Sequence, residues 1–268
     1  MLVTIFIIFL ITFTVYWAYH PNLRELRTEV KGRLGSAPKL SDAQFQILKQ
    51  EVPYYRCLRE GQKVHFKERV EQFIYLKTFI PRGLELTDEM VIKISASAIQ
   101  LTFGFPNIYF SHFEKILIYP TAYYSRITRQ YHAGEVSPFG HIILSWEHFE
   151  RGNADLGDGR NTGLHEMAHA FCLENSIAND EYHYLGWRVY GKYQDMAFAQ
   201  IDKIREGSDP FFRPYAGTND DEFFACAIEE FFERPHQFYA HTPELYDMMC
   251  KLLKQDPREV NACMLEQS

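Results

Sequence analysis

Apolar residues recur at helical spacing along much of the chain. Ser41 followed by Gln44 forms a capping-box pattern and predicts a short helix, and a longer helix is predicted from about Lys63. Thr87 is expected to cap a third helix over residues 90–101. The helical pattern returns in the second half of the chain, over residues 161–175, 180–205, 220–233, 243–254 and from residue 256 onward.

Between residues 107 and 146 the pattern changes to short β-rich segments separated by Gly and Pro. Residues 115–119 and 141–146 are predicted strands. Helices around a small sheet are typical of an α+β domain. The strand from His141 to Ser145 is either the open sheet edge on which an extended substrate lies or an ordinary core strand.

The first apolar run differs from the others because it is long and uncharged. Residues 2–19 approach the roughly 20 residues that cross a bilayer as a helix. Aromatic residues end the run and four basic residues follow within residues 24–33, which favours a cytoplasmic body. A cleaved signal peptide is the alternative, but its basic start and small-residue cleavage site are missing.

These patterns predict a single-pass membrane protein. We expect a transmembrane anchor over residues 1–20, a linker over residues 21–40 and a catalytic domain over residues 41–268. The membrane is then one partner of the chain, through the N-terminal helix.

Composition narrows the class of protein. The 268 residues are 46% apolar and 24% charged, which is enough to bury one sizeable core. The formal net charge of −7 gives no basic footprint, so no nucleic-acid partner is expected. The five cysteines are widely spaced and never form a C-x-x-C pair, so we expect neither a disulfide framework nor a thiolate zinc site, and a reducing compartment.

The strongest chemical motif is His165-Glu166-Met167-Ala168-His169, an H-E-x-x-H pattern. On a helix, positions i and i+4 share one face, so both imidazoles reach one zinc ion while Glu166 polarises a metal-bound water. The alternative is a surface helix with two solvated histidines. Apolar neighbours on this segment disfavour it, because buried histidines need partners.

A catalytic zinc usually has three protein ligands, so a third ligand is required downstream. Spacing alone does not choose among the candidates, which are Glu174, His183, Glu222, Glu229, Glu230, His236 and His241. Glu222 begins an apolar-faced helix, where a buried carboxylate is costly without a cation. Glu229 lies two turns further along the same face and, like Asp158 and Glu230, is a candidate for holding a ligand histidine through a hydrogen bond.

Several blocks together resemble the Mlc titration factor A family of zinc peptidases. They are GHIILSW at 140–146, DGRNTGLHEMAH at 158–169, YAGTN at 215–219, EFFA at 222–225 and FFERP at 231–235. They occur in the family's order and cover roughly residues 50–260. The block from 215 to 222 also resembles the catalytic domain of anthrax lethal factor.

This resemblance implies a zincin-like α+β catalytic domain, a small mixed sheet with several helices, and one zinc ion per chain. His165 and His169 correspond to the histidine ligands, Glu222 to the glutamate ligand, Glu166 to the general base and Tyr215 to a tyrosine near the substrate carbonyl. The implied activity is hydrolysis of peptide bonds in a gluzincin-like site, with an aminopeptidase-like site as one form of it and a peptide or protein as substrate.

Other functions stay open. The family is named for binding a glucose-responsive transcriptional repressor, but no contact surface for it is identified in this sequence, and a membrane segment is not expected in the soluble members. The runner-up is a zinc-bearing regulatory protein that binds a transcriptional regulator or another partner with little peptidase activity. A purely structural zinc site is the third hypothesis.

Overall fold

The computed structural model of the chain describes residues 37–125 and 129–266. Its elements belong to one compact unit that begins at Pro38. The first part of the chain contains four helices, with one strand between the third and the fourth: α1 (Asp42–Glu51), α2 (Pro53–Arg56), α3 (Glu60–Leu76) and α4 (Asp88–Thr102). The predicted capping box is present, since the Ser41 hydroxyl accepts from the Gln44 amide (3.2 Å) and the Gln44 side chain accepts from the Ser41 amide (3.1 Å).

A four-stranded mixed sheet has the strand order β1-β2-β6-β5. Its strands are β1 (Thr78–Pro81), β2 (Lys115–Tyr119), β5 (Gly134–Ser137) and β6 (His141–Ser145), and β3 (Tyr123–Ser125) with β4 (Gln130–His132) forms a separate hairpin. Strands β1, β2 and β6 are parallel, whereas β5 is antiparallel to β6. The edge of the sheet beside β6 is therefore β5.

This order decides between the two alternatives that the sequence left open for His141–Ser145. His141–Ser145 is not an edge strand, because β6 is paired with β2 on one side and with β5 on the other. Ile142 and Leu144 are completely buried, as expected of a core strand.

The second half is helical. Its elements are α5 (Trp146–Ala154), α6 (Thr162–Ser176), α7 (Trp187–Arg205), a 3₁₀ helix (Pro214–Gly217), α8 (Asp220–Glu233), α9 (Pro235–His241), α10 (Pro243–Leu253) and α11 (Arg258–Glu266). Helix α7 begins later than the predicted residue 180. The reason is local, since His183 and Gly186 have left-handed backbone at φ 58° and 65° that interrupts a helix.

Helix α6 occupies the centre of the domain, in contact with β5 and β6 as well as with α8. Part of its contact with α8 is apolar, where the rings of Phe171 and Phe224 stack with centroids 6.2 Å apart. Both rings are almost fully buried, and truncating such a ring to Ala typically costs about 3–5 kcal/mol of stability. The helix that carries the H-E-x-x-H motif is therefore rigidly held.

The predicted fold class included a transmembrane helix, and the structure contradicts it. Within residues 37–125 and 129–266, no helix combines the length and the apolar character needed to cross a bilayer. The longest helix there, α7, has 19 residues but carries six charged side chains, among them Arg188, Lys192 and Asp195. The single-pass membrane localisation predicted from the sequence is corrected on this finding, and the proposed anchor over residues 1–20 lies outside the described residues.

The cysteines give a second correction. Cys57 and Cys263 form a disulfide that joins the end of α2 to α11, with Cα atoms 5.8 Å apart. The sequence spacing did not predict it, because the two residues are 206 positions apart and meet only in the folded chain. Intramolecular disulfides are typical of oxidising compartments, contrary to the reducing compartment that we expected.

Candidate metal centre

Helix α6 begins at a well-defined cap. The Asn161 side chain accepts a hydrogen bond from the Leu164 amide (3.0 Å), which satisfies one of the free N–H groups of the first turn. His165 and His169 follow on one face of this helix, one turn apart, and Glu166 lies beside them. The cap therefore fixes the register of the motif.

Helix α8 is built in a similar way and runs against α6. The Asn219 side chain accepts a hydrogen bond from the Glu222 amide (2.8 Å). The three acidic residues of the first turn interact favourably with the positive end of the helix dipole. Glu222, Glu229 and Glu233 are spaced by seven and four residues, so they share the face that meets α6.

The two helices bring three metal-binding atoms together. His165 Nε2 lies 3.1 Å from Glu222 Oε2 and 3.1 Å from His169 Nε2, and the distance from His169 Nε2 to Glu222 Oε2 is 3.6 Å. Ligand atoms about 2.0–2.1 Å from a tetrahedral ion lie roughly 3.3 Å apart. The geometry of His165, His169 and Glu222 therefore fits a single small divalent ion.

The charges of this cluster also suit a cation. Burial lowers the pKa of His165, but hydrogen bonds with Glu222 and Glu229 outweigh it and raise that pKa to about 10. Burial alone would raise the pKa of Glu222, yet the two histidines hold it well below its usual range. The same negative environment that holds a proton here stabilises a metal ion in its place.

Glu229 fixes the orientation of the first histidine. His165 Nδ1 donates to Glu229 Oε1 (2.7 Å), and Glu229 Oε2 accepts from the Asn161 amide (2.7 Å). Arg213 binds both carboxylate oxygens, with Nη2 at 2.5 Å from Oε1 and Nη1 at 3.2 Å from Oε2. The hydrogen bond at Nδ1 leaves Nε2 of His165 directed at Glu222 and His169.

A second metal-capable group among the described residues consists of His165, Cys226 and Glu229. It fits a metal poorly, because both oxygens of Glu229 are already engaged by Arg213, a positive charge. Burial also raises the pKa of the Cys226 thiol to about 12, whereas metal binding requires the thiolate. We therefore place the candidate metal centre at His165, His169 and Glu222.

Glu166 is packed against the edge strand. It is only 6% exposed, and burial raises the pKa of its carboxyl group. A Cβ added to Gly134 on β5 would lie 2.4 Å from both Cγ and Cδ of Glu166 and 2.5 Å from Oε1. The absence of a side chain at Gly134 is therefore what makes room for Glu166 beside β5.

Tyr215 lies on the 3₁₀ helix at the mouth of the site. Its ring centroid is 6.1 Å from that of His165, and the side chain is half exposed. Burial and the Glu222 carboxylate raise the pKa of its phenol, so it remains a donor at neutral pH. Arg205 holds this segment in place by donating to Gly217 O (2.7 Å) and Thr218 O (3.0 Å).

The other candidates for a third ligand lie elsewhere. Neither metal-capable group in the described part of the chain contains Glu174, His183, Glu230, His236 or His241. Glu174 accepts from the His112 amide (3.1 Å), and His241 pairs with Asp209 (2.9 Å). Of the three acids considered as holders of a ligand histidine, only Glu229 contacts one, since Glu230 pairs with Arg234 and Asp158 accepts from the Arg160 amide (2.8 Å).

Two residues of the site were missed by sequence reasoning. Arg213 lies in a loop, where no periodic pattern marks it. Gly134 carried a usable signal, because a glycine inside a strand indicates a close approach by another group, but the strand itself was not predicted.

Comparison with known sequences agrees with this geometry. The sequence model of the glucose-regulated metallo-peptidase M90 family matches residues 25–254. An uncharacterized protein of Synechocystis sp. is 26% identical over 228 residues, which cover 79% of this chain and 83% of that protein. The Mlc titration factor A proteins of Yersinia pestis and Yersinia pseudotuberculosis are 25% identical over 247 residues, covering 82% of this chain and 89% of theirs. The resemblance to the Mlc titration factor A family found in the sequence is confirmed.

Proposed function

The chain belongs to the glucose-regulated metallo-peptidase M90 family, and from this premise we propose that it is a zinc-dependent peptidase whose centre is His165, His169 and Glu222. The observation that carries the proposal is the convergence of three ligand atoms, 3.1–3.6 Å apart, beside the buried carboxylate of Glu166. Two imidazoles and one carboxylate are a ligand set of catalytic zinc, and they leave a coordination position open.

Zinc held by these three residues would lower the pKa of a water molecule and polarise a peptide carbonyl. Glu166 takes the proton from the attacking water and delivers it to the leaving nitrogen, so that a C–O bond forms as the C–N bond breaks. Burial raises the pKa of this carboxyl group, which makes Glu166 a stronger base than an exposed glutamate.

Tyr215 has a distinct part in the proposed reaction. The carbonyl oxygen gains negative charge as water attacks, and the protonated phenol is a donor to it. Rotation of this half-exposed ring away from Glu222 requires no repacking of the core. Loss of one such donor typically lowers the rate by on the order of a hundredfold or more.

The substrate is proposed to bind as an extra strand. Among the described residues β5 pairs only with β6, so its other edge has free backbone N–H and C=O groups. Gly134 on this strand lies against Glu166. An extended peptide added to β5 therefore passes the proposed general base, in agreement with a peptidase that acts on short peptides or exposed chain ends.

Zinc-dependent hydrolysis tests the proposal. The purified full chain should contain about one zinc ion and cleave a synthetic peptide library, as followed by mass spectrometry. Chelation should stop cleavage and added zinc should restore it. Glu222→Ala should lose the metal, whereas Glu68→Gln, which changes an exposed glutamate, should keep both metal and activity. Unchanged zinc affinity in Glu222→Ala would contradict the ligand assignment.

A second candidate function rests on the name of the Yersinia relatives, which describes them as titrating Mlc. In that case this chain is a zinc-bearing protein that binds a regulator, and its hydrolytic activity is incidental. The two functions differ in what Glu166→Gln does, because a binding protein keeps its partner affinity in this variant whereas a peptidase loses its function.

A further inference from the structure

The edge strand β5 is held against α6 at both of its ends. At its first residue, Gly134, the Glu166 side chain occupies the space that a Cβ atom would need. In the turn that follows the strand, the carbonyl oxygen of Pro138 accepts a hydrogen bond from Nε2 of His112 (2.8 Å). The His112 amide donates to the Glu174 carboxylate of α6 (3.1 Å). His112 therefore joins this end of β5 to the helix that carries the H-E-x-x-H motif.

His112 also contacts the other end of the same turn. Gly140 has left-handed backbone at φ 84°, and a Cβ added to it would lie 2.7 Å from the His112 carbonyl oxygen. Gly83 has nearly the same backbone, at φ 81°, but open space where its Cβ would be. Glycine at position 140 is thus required by the close approach of His112 as well as by the conformation of the turn. The ring and the carbonyl group of His112 together support the turn between β5 and β6.

The loop that carries His112 is itself held by buried carboxylates. The Glu181 carboxylate accepts from the amides of Tyr109 (2.9 Å) and Phe110 (2.8 Å). Glu174 is completely buried and Glu181 is only 5% exposed. Hydrogen bonds to a charged acceptor are roughly twice as strong as neutral ones, so this loop has little freedom to move. His112 is therefore a fixed support for the turn.

The position of β5 relative to α6 sets the position of a peptide that is paired with β5. Paired strands lie about 4.8 Å apart, so an added substrate strand keeps a constant distance from β5. Peptide residues that pair near Gly134 depend on its contact with Glu166. Residues that pair near Ser137 depend instead on the support from His112. Loss of this support should therefore affect long peptides more than short ones.

We propose that His112 is a positioning residue, which holds β5 where an extended peptide pairs along the whole strand. This inference rests on the proposed peptidase function and on binding of the substrate as an added strand. His112 acts through Pro138 and Gly140 and takes no part in the chemical step. The substrate class that gains from it is a peptide long enough to reach from Gly134 to Ser137, rather than a dipeptide.

The alternative is that His112 only stabilises the fold. His112→Ala removes the ring and its hydrogen bond, whereas His112→Gln keeps an N–H donor of similar reach. A general effect on stability predicts a lower Tm and equal losses on peptides of every length. A positioning role predicts a loss that grows with peptide length and that His112→Gln largely restores. His65→Ala, which changes an exposed histidine of α3, is the matched control and should change neither.

The test uses the zinc-loaded full chain and a length series of synthetic peptides that begins with dipeptides. The KM of the parent should fall with peptide length until the peptide spans β5. His112→Ala should raise the KM of the longest peptides by roughly 5–10-fold, the usual effect of one lost hydrogen bond, and leave their kcat unchanged. The zinc content and the kcat/KM of dipeptides should stay at the values of the parent.

The two glycines provide a second pair of variants. Gly140→Ala should cause the same length-dependent rise in KM, because its methyl group displaces the carbonyl group of His112. Gly83→Ala introduces the same backbone strain without a contact and should leave KM unchanged at every length. Equal effects of the two variants on KM would contradict the inference, because backbone strain alone would then explain them.

Equal losses at every length in His112→Ala, or an unchanged KM at every length, would overturn the inference while the peptidase function stands. Hydrogen exchange tests the position of β5 without hydrolysis. The amides of residues 134–137 should exchange roughly 5–10-fold faster in His112→Ala than in the parent, and at the rate of the parent in His112→Gln. Equal exchange in the parent and in His112→Ala would contradict the role of His112 even if the parent cleaved no peptide.

Discussion

Oε1 of Glu229 lies 2.7 Å from Nδ1 of His165, and this contact determines which nitrogen of the ring is available to a metal. The opposite nitrogen, Nε2, is directed toward Glu222 at 3.1 Å. Because Arg213 and the Asn161 amide bind the same carboxylate, Glu229 has no freedom to turn away. The packing of α6 against α8 therefore sets the orientation of the His165 ring, independently of a bound ion.

Glu229→Gln should therefore weaken zinc binding. The amide keeps the shape of the side chain but leaves Arg213 without a counter-charge. It also weakens the hydrogen bond with Nδ1 of His165. Loss of such a supporting contact typically costs 10–100-fold in metal affinity, which competition with a chromophoric chelator measures. Glu68→Gln is the matched control on an exposed position, and equal zinc affinities of the two variants would contradict the role of Glu229.

Gly134→Ala should impair catalysis without removing the metal. The new methyl group would lie 2.4–2.5 Å from the Glu166 side chain, so that this carboxylate must move. A displacement of about 1 Å at a reacting group can lower the rate by on the order of 100-fold. Zinc content and kcat report the two effects separately. The control is Gly61→Ala, where the added methyl group has open space, and it should change neither the zinc content nor kcat. A fully active Gly134→Ala would refute the proposed placement of Glu166.

Much of this arrangement was predictable from the sequence, because it depends on helical periodicity. The bounds of α8 and the cap of α6 follow from Asn219 and Asn161, and the pairing of His165 with His169 follows from their spacing. Contacts between distant segments were not predictable. Arg213 contacts Glu229 from a loop, which has no periodic pattern. The position of β5 at the edge of the sheet depends on the order of the strands, and the pattern of short strands in the sequence does not predict that order.

The buried acid at the end of α8 predicts a pH dependence of stability. Burial raises the pKa of Glu233 to about 8, although it accepts hydrogen bonds from Asn161 (3.1 Å) and the Arg160 amide (3.0 Å). The pKa of Glu233 in the folded protein is thus higher than the ordinary value of about 4.5. The stability that protonated Glu233 contributes is therefore complete below about pH 4.5 and is lost as the pH rises toward 8. Thermal unfolding from pH 5 to 8 should show a smaller decrease in Tm for Glu233→Gln than for the parent. Identical slopes would indicate that Glu233 is ionised in the folded protein.

The Cys57–Cys263 disulfide should contribute to stability but not to the chemistry. It links α2 to α11, and closing a loop of this length typically stabilises a fold by about 3–5 kcal/mol. The double variant Cys57→Ser with Cys263→Ser should lower the free energy of unfolding measured in urea, while kcat/KM of the folded protein stays the same. A reductant should then have no further effect. An unchanged midpoint would show that the disulfide is not present in the native protein.

The central claim is that Glu166 is the general base beside a zinc ion held by His165, His169 and Glu222. The most direct measurement compares zinc content and peptide turnover in the parent and in Glu166→Gln. The amide has the same shape and is not a ligand, so zinc should remain at about one ion per chain while turnover falls by roughly 10²–10⁴-fold. Turnover equal to that of the parent, in a variant with normal zinc content, would contradict the account.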